Sequence, residues 1–208
     1  MKNLAVCFSL ALLSMCLLTA CGNDDDDNTN SINGKPDGNN GSSVVIYDDG
    51  TTSNGSRYTP IDLQTFYLDL VKYSIVESHM VVSGYYKEET LKNAKIVPAI
   101  TFKGVRYEVV EIGEYAFKGC SSLTSISIPN SVTSIGYDAF WNCSRLTSVH
   151  ITDIVAWCNI QFSSNPFSIA HHLYLNDEEI TDLVIPNSVT SIGKNAFSGC
   201  SSLTSITP

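Results

Sequence analysis

The chain has 208 residues, a formal net charge of −9, 43% hydrophobic residues and only 16% charged ones. That length suits one folded domain with processed or extended ends, and an acidic balance without a basic stripe excludes a nucleic-acid-binding surface. Of seven cysteines, Cys7, Cys16 and Cys21 lie near the start and Cys120, Cys143, Cys158 and Cys200 lie further on, a distribution that argues against a disulfide scaffold.

Met1-Lys2-Asn3 precedes an apolar run, Leu4–Leu18, which reads as a secretory signal too short for a membrane span. The run ends Leu18-Thr19-Ala20-Cys21-Gly22 and resembles a bacterial lipobox. The resemblance implies removal of residues 1–20 as a signal peptide and lipidation of Cys21, the sole attachment to the membrane. An ordinary secretory signal with a coincidental cysteine is the alternative. Asn23-Asp24-Asp25-Asp26-Asp27 follows. It resembles the acidic surface-export signal of Gram-negative lipoproteins, and otherwise reads as a solvated linker. Residues 21–60, rich in Asn, Asp, Gly, Ser and Thr, bury too little to fold and read as a tether on the order of 35 Å in reach, with a short strand around Val44–Tyr47 left open.

Residues 61–111 read as a β-rich cap. Tyr67–Leu70, Lys72–Val76, His79–Gly84 and Lys95–Pro98 carry strand-like patterns, and Lys103-Gly104 is a hairpin turn between Ala99–Phe102 and Val105–Val110.

Residues 112–208 repeat themselves. Cys-Ser-Ser-Leu-Thr-Ser-Ile occurs at Cys120–Ile126 and Cys200–Ile206, and Ile-Pro-Asn-Ser-Val-Thr-Ser-Ile-Gly at Ile128–Gly136 and Ile185–Gly193. Strand motifs begin at Leu123, Leu146, Ile180 and Leu203, at intervals of 23, 34 and 23 residues. The L-x-x-L-x-L pattern is that of a leucine-rich repeat. Each ordinary strand is preceded by Ile-Gly, expected to turn, and by Ala-Phe (Ala116-Phe117, Ala139-Phe140, Ala196-Phe197), expected in a short helical turn. One coil cannot bury enough to stand alone, so coils must stack. The expected fold class is an α/β solenoid: a leucine-rich-repeat stack of a short strand plus a short helical turn per coil, its four strands in one continuous sheet, behind the β-rich N-terminal cap.

The phrases Ile-Gly-x-x-Ala-Phe-x-x-Cys-x-x-Leu-Thr-Ser-Ile and Ile-Pro-Asn-Ser-Val-Thr-Ser-Ile-Gly resemble BspA-like leucine-rich-repeat proteins of bacterial and some protist surfaces, over about residues 66–207. The resemblance implies a surface adhesin that binds host matrix proteins or other cells.

Cys120, Cys143 and Cys200 recur at one repeat position and read, with Cys158, as core thiols. The outward strand positions, Thr124, Ser125, Ser127, Thr147, Ser148, His150, Thr181 and Asp182, form a hydroxyl-rich face and are the candidate binding residues. The threonines among them also suit a pleated surface with no ligand at all. His171 and His172 point to opposite faces of a strand and so do not share a metal; Trp157 reads as core packing. No nucleophile–base constellation, metal motif or cofactor loop is present in the sequence. The expected protein is a non-enzymatic, cofactor-free, lipid-anchored lipoprotein of the bacterial outer membrane, facing the cell exterior, whose partners are host or bacterial surface proteins or glycoproteins. A glycan-holding accessory lipoprotein of a surface nutrient-capture system is the alternative; aromatic platforms on the strand face would favour it, and that face reads as having none. Weak end-to-end self-association through the last coil is also expected.

Overall fold

Alternating side chains build the first sheet. The computed structural model describes residues 43–87 and 90–208; the expected signal peptide, Cys21 and the tether before residue 43 lie outside them. The first eight strands are β1 (Val44–Ile46), β2 (Tyr58–Pro60), β3 (Thr65–Leu68), β4 (Val71–Val76), β5 (His79–Tyr85), β6 (Asn93–Lys95), β7 (Ala99–Phe102) and β8 (Val105–Ile112). All but β6 pair in the order β1-β7-β8-β5-β4-β3-β2. In β3, Phe66 and Leu68 are buried while Thr65 and Tyr67 are half-buried, the period-2 signature of a sheet with one wet face. Lys103 and Gly104 both take positive φ (49° and 75°) and close the β7–β8 hairpin, as a two-residue turn of this hand requires.

Two boundaries differ from the sequence expectation. Residues 44–60, assigned to the tether, belong to the cap from Val44 onward: β1 runs parallel to β7 through Val44↔Ile100, and β2 pairs with β3. Val44 and Ile46 are 0% and 5% exposed, because their shared face covers β7, whose edge is otherwise open. Tyr58 packs 5.4 Å from Phe66 and 6.3 Å from Phe102. The expected strand at Lys95–Pro98, placed in the cap, is β6 at Asn93–Lys95 and serves instead as a rung of the repeats, parallel to the next strand through Ala94↔Ile126.

The repeats supply β9 (Ser125–Ser127), β10 (Ser134–Ile135), β11 (Ser148–Ile151), the helix α1 (Ile154–Cys158), β12 (Gln161–Phe162), a 3-10 turn (Pro166–Ser168), β13 (His172–Leu175), β14 (Glu178–Glu179), β15 (Asp182–Val184) and β16 (Ser205–Thr207). Strands β6, β9, β11 and β13 run parallel in one ladder, and β14 closes its far edge antiparallel to β13. The inward column is Ala94, Ile126, Val149 and Leu173, all at most 2% exposed. A second ladder joins β8, β10 and β12 at Ile112↔Ile135↔Phe162.

The expected single sheet through all four motifs is broken. The rung beside β11 is β13, from the inserted residues, while the Ile180 and Leu203 motifs form a separate parallel pair, β15 with β16. Asn176 and Asp177, with φ of 52° and 66°, fold the chain back so that β14 occupies the edge of β13 that β15 was expected to take.

A helical turn per coil is also not found. Among the described residues the helical segments are α1 and the 3-10 turn, and both lie in the enlarged coil. The Ala-Phe segments are runs of turns, in which Tyr115, Asp138 and Asn195 take positive φ. Their N–H groups are used between coils rather than along a helix: Tyr115, Phe117 and Gly119 donate to the carbonyls of Tyr137, Ala139 and Trp141 at 2.8–3.0 Å. The benefit is a stacked column, in which Phe117 and Phe140 lie 5.5 Å apart and within 3° of parallel. α1 itself is capped by Asp153, whose carboxylate accepts from Val155 and Ala156.

The Ile-Gly glycines have a different reason from the one expected. Gly113, Gly136 and Gly193 do not take positive φ. A Cβ on Gly136 would sit 2.6 Å from the Glu114 nitrogen, and one on Gly193 2.5 Å from the Ile160 oxygen. Glycine is there so that neighbouring coil backbones can touch.

Candidate binding face

The ladder register sorts the outward side chains into columns. Asn93, Ser125, Ser148 and His172 form one, and Lys95, Ser127, His150 and Tyr174 the next. Thr124 and Thr147 flank the first column. Six of the eight candidate residues therefore share one face; Thr181 and Asp182 lie with β15 in the other sheet and are not part of it.

Most of the hydroxyls are committed to the fold. Thr124 donates to the Lys92 carbonyl at 3.0 Å, Thr147 to the Thr124 carbonyl at 3.2 Å, and Thr204 to the Thr181 carbonyl at 3.0 Å. Each threonine thus fastens its rung to the one before. Ser125 donates to Asn93 Oδ1 at 2.8 Å, and Ser205 to Asp182 Oδ1 at 2.6 Å. The hydroxyls of Ser205 and Thr204 hold the Asp182 carboxyl below the usual carboxylate range.

The chemistry available to a partner gathers at the β11–β13 end. His150 and Tyr174 stack with ring centroids 4.6 Å apart and planes within 10°. His150 Nδ1 lies 3.2 Å from Asp177 Oδ1, and His172 Nδ1 lies 2.6 Å from Glu179 Oε1. Tyr174 donates to Glu179 Oε2 at 3.4 Å. Partial burial, and then the Glu179 carboxylate, push the Tyr174 phenol up. A hollow of about 120 Å³ opens beside His150, with Lys95, Ser127, Asn176 and Asp177 among its walls. The face expected to lack aromatics therefore carries one, because Tyr174 belongs to the rung that the motif spacing did not reveal. The alternation of His172-Leu173-Tyr174-Leu175 is the signal that places it.

The remaining candidates settle into structural roles. His171 faces the Gly199 carbonyl at 3.2 Å while His172 faces Glu179, so the two rings do not converge. Trp157 is 1% exposed and donates to the Ala196 carbonyl at 3.1 Å, which ties the enlarged coil to the next. Cys120, Cys143, Cys158 and Cys200 are free and buried. Burial, and then the neighbouring Cys120, push the Cys143 thiol up to about 12; its Sγ lies 3.0 Å from the Phe117 carbonyl.

The BspA type leucine rich repeat region family matches residues 87–167 and 167–208, in six copies. The chain belongs to this family. The match begins at residue 87, in keeping with β6 as a rung. No curated protein matches the chain. Among solved structures it is similar to a leucine-rich repeat protein from Bacteroides ovatus, at 28% identity over 69% of this chain and 41% of the other, TM-score 0.39. It is also similar to a leucine rich cell surface protein from Faecalibacterium prausnitzii, at 24% identity over 71% of this chain and 43% of the other, TM-score 0.43. A leucine-rich repeat protein from Bacteroides capillosus matches at 22% identity over 69% of this chain and 97% of the other, TM-score 0.43. The chain spans less than half the length of the first two.

Proposed function

We propose that this protein is a surface-displayed, non-enzymatic adhesin that contacts extracellular-matrix protein, mucosal glycoprotein or the surface of another cell through the β9–β11–β13 face. The observation that carries this reading is the His150–Tyr174 ring pair, set among the paired Asp177 and Glu179 carboxylates at one end of a hydroxyl-rich sheet. Aromatic side chains held rigid by their neighbours lose little entropy on binding and supply most of the energy in protein interfaces. Thr124, Ser125 and Thr147 already bond within the fold, so they suit a complementary rim better than an energetic centre. Attachment by Cys21 to the outer membrane, facing outward, belongs to the same proposal and is supported by the lipobox and the acidic run that follows it. Many copies on one cell make modest single contacts sufficient through effective concentration.

The test is adhesion of cells carrying the protein to wells coated with matrix proteins or mucins. Retention is expected to exceed that of cells lacking the protein and to fall about tenfold in the double variant His150→Ala, Tyr174→Ala. Equal retention by the parent and the double variant across every coating, with equal surface amounts by antibody staining, removes the face from consideration. Protease applied to intact cells is expected to release the repeat region; full protection contradicts outward display.

A further inference from the structure

Away from the sheet face, where the cap meets the first coil, lies a groove of about 380 Å³ whose walls include Tyr67, Tyr85, Tyr86, Tyr115, Lys72 and Lys87. Three adjacent strands lay its floor: Tyr67 on β3, Lys72 on β4 and Gly84 on β5 are cross-strand partners and share one face. Gly84 leaves the middle of the floor without a side chain. The wall rings are arranged edge to face, Tyr67 with Tyr86 at 5.1 Å, and Tyr115 with Tyr137, which does not itself line the groove, at 5.9 Å. In such pairs the edge-on ring keeps its faces uncovered by its partner. Tyr115, Tyr137 and Trp141 are 44%, 54% and 54% exposed, three large rings from successive turns of the chain. Lys118 stands between two of them, its ammonium 4.5 Å from the Tyr115 centroid and 4.9 Å from that of Trp141. No described carboxylate lines the groove or comes within ion-pair distance of Lys72, Lys87 or Lys118, although Asp62 acts on Lys72, and Glu114 and Asp138 on Tyr115, from further off. An adjoining hollow of about 110 Å³ shares Tyr67 and Tyr86 and adds Arg57, Thr59 and Asp69.

We infer that this groove is a binding site for an acidic oligosaccharide, distinct from the sheet face and independent of the adhesion reading. Its volume is that of a small-molecule site rather than a protein interface. Lys72 and Lys87 in the walls, with Lys118 over the Tyr115 ring beside them, stand within ion-pair distance of no described carboxylate and complement an anion. Flat ring faces beside hydroxyls and ammonium donors match a pyranose, which presents apolar C–H faces and a polar rim. A peptide is disfavoured on two counts. The floor strands are paired on both sides, so no chain can be added to them as a further strand. The walls also hold no aliphatic side chain beyond the buried Ala116, and so no pocket for a hydrophobic anchor.

The decisive variant is Gly84→Val. A Cβ there meets Lys72 Cδ at 3.5 Å, ordinary contact, and the φ is not positive, so the strand accepts the side chain while the groove fills. The full-length protein is titrated by calorimetry with oligogalacturonate, hyaluronan and sialylated oligosaccharides, beside uncharged galacto-oligosaccharides and an oligoglutamate peptide. Binding of at least one acidic sugar at about 1 mM or tighter is expected. It should weaken about tenfold in Tyr115→Ala and in Lys118→Gln, vanish in Gly84→Val with unfolding unchanged, and persist in Arg145→Gln, remote from the groove. Absence of binding to every acidic sugar overturns the proposal, and so does equal binding by Gly84→Val. Preference for oligoglutamate, or for the uncharged sugar, overturns the acidic-sugar assignment while leaving the adhesion reading untouched.

Discussion

Gly136→Ala tests whether coil-on-coil backbone contact holds this protein together. The new Cβ would meet the Glu114 nitrogen at 2.6 Å, the Gly113 carbonyl carbon at 2.8 Å and the Glu114 Cα at 3.0 Å, all backbone atoms of the preceding coil. No side chain can rotate away, so the coils must separate locally. Overpacking of this kind costs about 1–3 kcal/mol. The separation also stretches the bonds from Gly136 N–H to the Ile112 carbonyl, 2.8 Å, and from Tyr115 N–H to the Tyr137 carbonyl, 3.0 Å. Each contributes about 0.5–1.5 kcal/mol. Alanine recovers about 0.4–1 kcal/mol by restricting the unfolded chain. The net expectation is a loss of about 3 kcal/mol, or a Tm lower by about 6–12 °C for a domain of this size. Gly104→Ala is the control: its φ is +75° with nothing within 4 Å of the added Cβ, so it carries only the left-handed backbone penalty of about 1 kcal/mol. Urea unfolding followed by circular dichroism ranks the two. If Gly104→Ala costs as much as Gly136→Ala, close backbone approach is not what selects glycine there, and the account of the Ile-Gly motif fails.

Three further outcomes are expected. Val44→Asp places an unpaired charge at a fully buried cap position and should lower stability by about 3 kcal/mol in urea unfolding; an unchanged midpoint would return Val44 to the tether. Phe140→Ala removes one ring of the 3° stack on Phe117 and should cost about 3–5 kcal/mol, with a smaller loss showing that the coils collapse to fill the space. The Cys143 thiol keeps its proton in the folded state up to about 12, against 9.0 for an ordinary thiol. Above pH 9 the unfolded chain binds fewer protons than the native one, so stability falls as pH rises from 9 toward about 12. Burial pushes the Tyr73 phenol up and adds to the same slope. Urea midpoints across this window should decline less steeply in Cys143→Ala than in the parent, and identical slopes would place the effect elsewhere.

What the sequence made legible follows from how strictly each position is constrained. Where a coil is bounded by Cys, Leu and Ile facing a full core, as in Cys120-x-x-Leu123-x-x-Ile126, substitution is costly and the phrase survives in copy after copy. The rung at β13 was hidden because its volumes are exchanged. In the ladder register Ala170 falls where Leu146 falls, and Phe167 where Cys143 falls, and both are fully buried. A small residue replaced the large one and a large one the small, so total volume holds while the letters change. Trp157, packed 5.6 Å from Phe167 and 5.0 Å from Phe162, fills what remains. β1, left open as a short strand within the tether, went unassigned to the cap for another reason: composition averaged over a polar stretch cannot tell which strand three residues will pair with.

The same reasoning explains why the binding face was only half visible. Thr124, Ser125 and Thr147 announce a wet sheet surface from their positions between buried neighbours, but their hydrogen bonds show them spending that polarity on the ladder itself. The groups left to meet a partner, Tyr174 with His150 and the ring-lined groove around Tyr67 and Tyr115, come from places where the repeat is interrupted: the inserted rung, and the junction of cap and first coil. A strict repeat optimises neighbour-to-neighbour fit and so exhausts its polar side chains internally. Recognition therefore falls to the interruptions and to the variable positions beside them, such as His150 and Tyr115, where side chains are released from matching the next coil. For this chain, a substitution at a fixed letter of the repeat phrase should be read first as a change in stability, and one at its variable positions, such as Tyr115 and Lys118, or in an interruption first as a change in binding.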